Sequence, residues 1–213
     1  MSKPTRLTRN PTLLTAVLSA ATLAGYVAYR LTSDTADDPA VATTAIDHDH
    51  AAEASSLANA LPEIVLDDLA GTPTPLSTWS GRPLLINFWA TWCAPCLREI
   101  PMLKAFHEEN ASIEVIGIAV DRLDPVLEYA AEMQFNYPVL VGQSDGMNAM
   151  ATFRNDAGAM PFSVFTAADG AILGVQAGEL HAEHLENYAA TIAALADGSI
   201  DRAAARERIA GHR

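Results

Sequence analysis

The sequence predicts an α/β domain, on three observations: short apolar runs alternate with segments of helical periodicity, the longest of those runs are apolar almost throughout, and turn-forming clusters separate them. The 213 residues allow one ordinary domain with extensions. An apolar fraction of 50% supplies a core, and a charged fraction of 18% is too low for a disordered chain.

Ile64 to Leu66 and Thr74 to Leu76 read as short strands joined through Asp67, Asp68 and Gly71, which makes an opening hairpin. After Gly81-Arg82-Pro83, the run Leu84 to Ala90 is interrupted only by Asn87 and reads as a central strand covered on both faces. A helix follows from about Pro95 to Glu109, with Leu97, Ile100, Leu103 and Phe106 spaced to bury one face and Pro101 placed to kink it. Ile113 to Val120 is a second buried strand, Asp124 to Gln134 a helix and Tyr137 to Val141 a further strand. Asp145 to Phe153 reads as a short helix. Phe162 to Thr166 and Ala171 to Gln176 form a hairpin across Ala168-Asp169-Gly170, and His181 to Leu195 is a helix. The order is a βαβ unit followed by ββα. Ile200 to Arg213 reads as a mobile charged helix outside the domain.

Ahead of the domain, no charged residue interrupts Asn10 to Tyr29, about the length needed to cross a bilayer core as a helix. Lys3, Arg6 and Arg9 precede this run, and acids gather only from Asp34 onward, so the positive-inside bias leaves the N-terminus in the cytoplasm and the domain outside. A cleaved signal peptide is the alternative, although its apolar region is usually shorter and Ala40-Val41-Ala42 lies far from this one. The expected organisation is a cytoplasmic N-terminus at 1–11, a transmembrane signal anchor at 12–30, a flexible linker at 31–60, the α/β domain at 61–197 and a charged tail at 198–213. The expected placement is single-pass in the inner (cytoplasmic) membrane, with the domain on the periplasmic, extracytoplasmic side.

Four of the 13 basic residues lie in the first thirty positions, which hold no acid, so the rest of the chain is strongly acidic and repels phosphate backbones. Nucleic acid is not an expected partner. Asp47-His48-Asp49-His50 has metal-ligating side chains, but four mixed residues in a linker read more simply as solvated polar chain. Met133, Met147 and Met150 are irregularly spaced and read as core packing, and His107, His181 and His184 as surface residues.

The chain has two cysteines, Cys93 and Cys96. A disulfide between them closes too small a loop to stabilise much through unfolded-chain entropy, so reactivity is the better reason for the pair. The strand ending at Ala90 delivers Thr91-Trp92-Cys93 to the start of a helix, where unpaired amides and the macrodipole favour a thiolate. Cys96, almost one turn further on, is placed to act as the resolving thiol.

The stretch GRPLLINFWATWCAPCLREIP, residues 81–101, resembles the active-site stretch of the TlpA/ResA/CcmG (DsbE) group of membrane-anchored extracytoplasmic thiol-disulfide oxidoreductases, and a looser resemblance extends over residues 61–196. It implies a thioredoxin-like fold: a central mixed sheet flanked by helices, with an N-terminal β-hairpin and a central αβ insertion. It also implies a protein disulfide reductase whose redox group is the Cys93–Cys96 disulfide, with no separate cofactor. Its partners would be protein thiols and disulfides, such as the haem-binding cysteines of apocytochromes c or copper-site cysteines. A membrane thiol carrier of the DsbD/CcdA kind would re-reduce it.

By the same resemblance, Glu99 matches the acid that follows the second cysteine, where it would exchange a proton with Cys96; otherwise it reads as a solvated helix glutamate. Asn87 stands where thioredoxin has a buried aspartate, and reads as a hydrogen-bonded amide inside the sheet. Met160-Pro161 matches the cis-proline that faces the cysteines, with Phe162 in place of the usual threonine. Trp92, Ala94, Pro95, Met160 and Pro161 would then contact substrate, Met160 through its backbone as in strand addition. Two other uses of the same cysteines remain open at this point: donation of the disulfide to folding proteins, and Cu(I) transfer between soft thiolates. A structural zinc site is weaker, because no second ligand pair stands at the usual spacing.

Overall fold

The computed structural model describes residues 60–211. The anchor, nearly all of the linker and the Asp47 to His50 segment lie outside the described residues.

Seven strands form one mixed sheet in the order β2-β1-β5-β4-β3-β6-β7. Its centre is parallel: β3 (Leu84–Trp89), β4 (Glu114–Ala119) and β5 (Val139–Val141) run side by side. The hairpin β1 (Val65–Asp68) and β2 (Pro73–Pro75) adds antiparallel to β5, and the hairpin β6 (Phe162–Thr166) and β7 (Ile172–Ala177) adds antiparallel to β3. All of β3 and β4 is buried, which is why both read as near-continuous apolar runs.

Helices cover the two faces. Alternate residues of β3 point to opposite sides. Leu85 and Trp89 face a core shared with α1 (Ala94–Glu109), α2 (Leu123–Met133) and α4 (Ala182–Ala196), while Ile86 and Phe88 face a core closed by α3 (Gln143–Thr152). In the second core Phe88 lies between Phe153 and Phe162, with ring centroids 6.0 and 5.9 Å away.

The elements fall where the sequence places them, with shifts at the ends. Leu76 is buried but opens a 3-10 turn (Leu76–Trp79) instead of ending a strand. β5 starts at Val139 rather than Tyr137, since Pro138 has no amide hydrogen and serves only as acceptor, from the Gly117 N–H at 2.9 Å. In the β1–β2 turn, Asp68 accepts from the Ala70 and Thr72 amides at 2.8 and 2.9 Å, and Gly71 takes φ of 78°, a region disfavoured for residues with a Cβ. α1 runs from Ala94 to Glu109 without a break at Pro101.

Two expectations need correction. The C-terminal helix, α5 (Arg202–Ala210), is no free tail: it docks on α4 and the edge strand β7, so the domain continues past residue 197. Ala205 and Ile209 are buried, Arg206 Nε donates to the Ile172 carbonyl at 3.0 Å, Asn187 Nδ2 to the Arg208 carbonyl at 3.0 Å, and Arg202 pairs with Asp169. Covering β7 also shields an edge that would otherwise invite pairing with another chain. His107, in turn, is not a plain surface residue. Only 19% of its side chain is exposed, its ring meets Tyr137 edge-on at 6.1 Å, and Nε2 lies 3.8 Å from Glu114.

Candidate active site

The cysteines sit where β3 hands over to α1. The Cys93 N–H donates to the Ala90 carbonyl at 3.1 Å, closing a turn, and Cys93 is the N-cap of α1, its carbonyl accepting from Leu97 at 3.1 Å. Pro95 lies in the first turn, where the missing amide hydrogen costs no helical bond. The two sulfurs form a disulfide with Cα atoms 5.3 Å apart. Cys93 is 5% exposed and Cys96 0%, so an incoming thiol reaches the bond from the Cys93 side. Beside it Trp92 is 68% exposed, an apolar platform at the mouth of the site, and Ala94 is also exposed.

Glu99 is buried with 1% exposure, which rules out the solvated alternative. Cys96, Glu99, Ile100 and Leu103 share the inner face of α1. Asn87 Nδ2 donates to Glu99 Oε1 at 2.6 Å and to Ser163 Oγ at 3.0 Å, and the Leu180 N–H donates to Glu99 Oε2 at 2.7 Å. Burial pushes the Glu99 carboxyl up to about 7 against the pull of those two hydrogen bonds, and the charge of Glu179 adds to the rise. Asn87 suits a carboxyl that titrates near neutrality: its Nδ2 donates to the ionised form, and its Oδ1, which has no protein partner, can accept from the protonated form after a flip of the amide. The same amide, lacking a carboxylate's charge, leaves Glu99 as the buried acid on this face of the cysteine helix.

The Met160–Pro161 peptide is cis. Pro161 immediately precedes β6, whose first residue pairs with Phe88 near the end of β3, and its carbonyl accepts from Gly178 at 2.9 Å. Met160 is partly buried and packs on the core that contains both cysteines. The predicted site residues are thus brought to one end of the sheet, the end at which β3 and β4 finish. Of the methionines, Met150 is buried, Met133 packs at the core margin and Met147 is partly exposed.

Sequence reasoning missed three supports. Asp121, buried just beyond β4, accepts from Thr91 in the cysteine loop. Asn155, also buried, closes the loop before Met160: its Nδ2 donates to the Ala159 carbonyl at 2.7 Å and its Oδ1 accepts from the Ala159 N–H at 3.0 Å. Arg98 makes a two-point ion pair with Glu179, at 3.1 and 2.5 Å, and so ties the cysteine helix to the loop that supplies Leu180. A signal existed only for Asp121, the first acid after a buried parallel strand, at the strand end where α/β sites collect. Among the described residues no group of three or more His, Cys, Asp or Glu is placed to hold a metal ion.

A family model described as AhpC/TSA matches residues 57–175, more than half of the chain. The chain belongs to the AhpC/TSA family. Within it, the resemblance read from residues 81–101 stands. Thiol-disulfide oxidoreductase ResA of Bacillus thuringiensis (strain Al Hakam) is 28% identical over 130 residues, covering 60% of this chain and 73% of ResA. ResA of Geobacillus kaustophilus is 25% identical over 143 residues, covering 65% and 79%. Among solved structures, a thiol:disulfide interchange protein of the thioredoxin family from Chlorobium tepidum TLS superposes with a TM-score of 0.56 at 25% identity, covering 63% of this chain and 95% of its own. A secreted thiol-disulfide isomerase from Corynebacterium glutamicum gives 0.55 at 26% identity, covering 61% and 82%. The fold is thioredoxin-like, and this member of the AhpC/TSA family is an oxidoreductase with its cysteines at CxxC spacing.

Proposed function

We propose that this oxidoreductase reduces disulfides in extracytoplasmic proteins, such as haem-binding cysteines of apocytochromes c or copper-site cysteines, and is itself re-reduced by a membrane thiol carrier of the DsbD/CcdA kind. The observation that carries the reading is the buried carboxyl of Glu99 on the inner side of the cysteine helix, pushed up to about 7 by burial so that near neutral pH it can both take and return a proton.

In the reduced protein the Cys93 thiolate attacks one sulfur of the substrate disulfide, forming a mixed disulfide and releasing the other substrate sulfur as a thiolate. Cys96 gives its proton to ionised Glu99 and attacks Cys93 Sγ. The second substrate thiolate leaves, two electrons have passed to the substrate, and the Cys93–Cys96 disulfide remains. A carrier dithiol reverses these steps, and protonated Glu99 returns the proton to Cys96.

The reducing direction is supported by what surrounds the pair. Dithiols whose thiolate is strongly stabilised are oxidants, and those whose thiolate is less favoured are reductants. Two buried acids flank the pair, Glu99 on the cysteine helix itself and Asp121 beyond β4 but bonded to Thr91 of the cysteine loop, and the Arg98 cation is already engaged by Glu179. The site therefore disfavours the thiolate and suits a reductant. Placement on the periplasmic side of the inner membrane rests on the apolar run 12–30 and the charge bias around it. Among the described residues no helix is long and apolar enough to cross a membrane.

The test is the reduction potential of the Cys93/Cys96 couple, followed by Trp92 fluorescence in defined thiol buffers. A value near that of thioredoxin, about −270 mV, supports the reductase, and one near that of DsbA, about −120 mV, overturns it. In cells, Cys96→Ser should accumulate mixed disulfides with the true substrates.

A further inference from the structure

The Asp121 carboxylate does two things at once. Its Oδ1 accepts the Arg122 N–H at 2.8 Å, which fixes its own rotamer, and its Oδ2 accepts both the Thr91 N–H at 3.0 Å and the Thr91 hydroxyl at 2.6 Å. Thr91 is the second residue of the turn closed by Cys93 N–H and the Ala90 carbonyl. On one side of this turn β3 is held by the last rung of the parallel ladder, Val120 N–H to the Trp89 carbonyl at 2.8 Å. On the other side Cys93 begins α1. Thr91 and Trp92 are the central residues of the turn between this held strand and the helix, and Trp92 is open to solvent.

We propose that Asp121 is a positioning residue for thiol-disulfide exchange: by pinning Thr91 at both of its donors it fixes where the Cys93 sulfur lies against the first amides of α1. The inference rests on exchange through Cys93 but not on its direction. Misplacement of a reacting group by about 1 Å can cost a hundredfold in rate, so a two-point clamp two residues from the nucleophile has leverage on the chemistry. The clamp and the charge act in opposite senses. As a negative group, Asp121 disfavours the Cys93 thiolate; as a clamp, it aims the helix amides that favour it.

That opposition supplies the test. In the reduced full-length protein, alkylation of Cys93 by iodoacetamide is followed from pH 5 to 10, with Cys93 and Cys96 adducts separated by peptide mass spectrometry. Asp121→Ala and Thr91→Val should each move the midpoint of the pH profile upward and slow alkylation at pH 7 by roughly tenfold. The double variant should be no slower than Asp121→Ala alone, because both changes open the same clamp. Thr91→Ser, which keeps both donors, should restore the wild-type profile. A downward midpoint in Asp121→Ala would mean that the residue acts only as a charge. Unchanged midpoints, or additive effects in the double variant, would also overturn the proposal. Should Asp121→Ala fail to fold, Thr91→Val decides alone, since it deletes one hydrogen bond and leaves the carboxylate in place. An unreactive Cys93 in the wild-type protein would instead count against exchange itself.

Discussion

Glu99 is the residue whose charge state is most open to experiment. Its carboxyl is raised from 4.5 to about 7 in the folded protein, so it binds a proton more tightly folded than unfolded. The stability this contributes is fully present below pH 4.5 and is lost as pH rises through about 7, to the extent of roughly 3 kcal/mol at about 1.4 kcal/mol per pH unit. Glu99→Gln should remove that slope: urea midpoints of wild type and variant should converge near pH 4.5 and separate in the variant's favour above pH 7. Gln fits the site, since its oxygen can take the Leu180 N–H while its amide donates to Asn87 Oδ1 once the Asn87 amide flips. The same variant should resolve mixed disulfides at least tenfold more slowly and without an inflection near pH 7, read by stopped-flow release of a model substrate. If resolution keeps its speed and its pH profile, Glu99 is not the proton acceptor for Cys96. Cys93 and Cys96 were legible in the sequence because a motif of four residues carries their chemistry. The burial of Glu99 was not, since Asn87 and Leu180 reach it from 12 and 81 residues away.

At the scale of elements, periodicity revealed every strand of the sheet because β3 and β4 are buried on both faces and the hairpins are bounded by turn residues. For α5 the helix was legible but its docking was not, since isolated apolar side chains on a charged helix left no face wide enough to read as buried. What docks this helix is a gap in its partner. Ile209 Cγ2 lies 2.6 Å from where a Cβ on Gly174 would stand, so the bare backbone of β7 is the seat for that side chain. Gly174→Ala should push Ile209 out and cost about 1 to 3 kcal/mol, lowering the melting temperature and raising amide exchange in 202–210 before the rest of the domain. Uniform exchange across the domain would mean that α5 unfolds only with the whole. The loop before the cis peptide offers a second case. Because the two Asn155 side-chain bonds to Ala159 hold the approach to Met160, Asn155→Ala should raise KM for protein disulfides severalfold while leaving the rate with a small aromatic disulfide unchanged. Equal losses with both substrates would assign Asn155 to general stability.

For the whole molecule, redox state and folding are one equilibrium. Two electrons link the oxidised and reduced domains, so any difference between the folded and unfolded Cys93–Cys96 potentials must appear as an equal difference in stability, about 1.4 kcal/mol for each 30 mV. The four-residue disulfide loop contributes little through chain entropy, and the environment of the sulfurs decides the sign. The ionised carboxylates of Glu99 on the cysteine helix and Asp121 beside the cysteine loop penalise a thiolate only after reduction, and 0% exposure at Cys96 leaves no solvent to offset that penalty. The oxidised domain is therefore expected to be the more stable form, with a urea midpoint above that of the same protein in excess reductant at pH 7. A strong oxidant behaves the opposite way, because its reduced form is the stabilised one. Adding Glu99→Gln to both measurements should narrow the gap between the two midpoints, since the burial penalty it relieves is common to both forms while the carboxylate–thiolate repulsion it removes exists only in the reduced one. A reduced domain that outlasts the oxidised one would reverse the direction of electron flow assigned here, whatever the substrates prove to be.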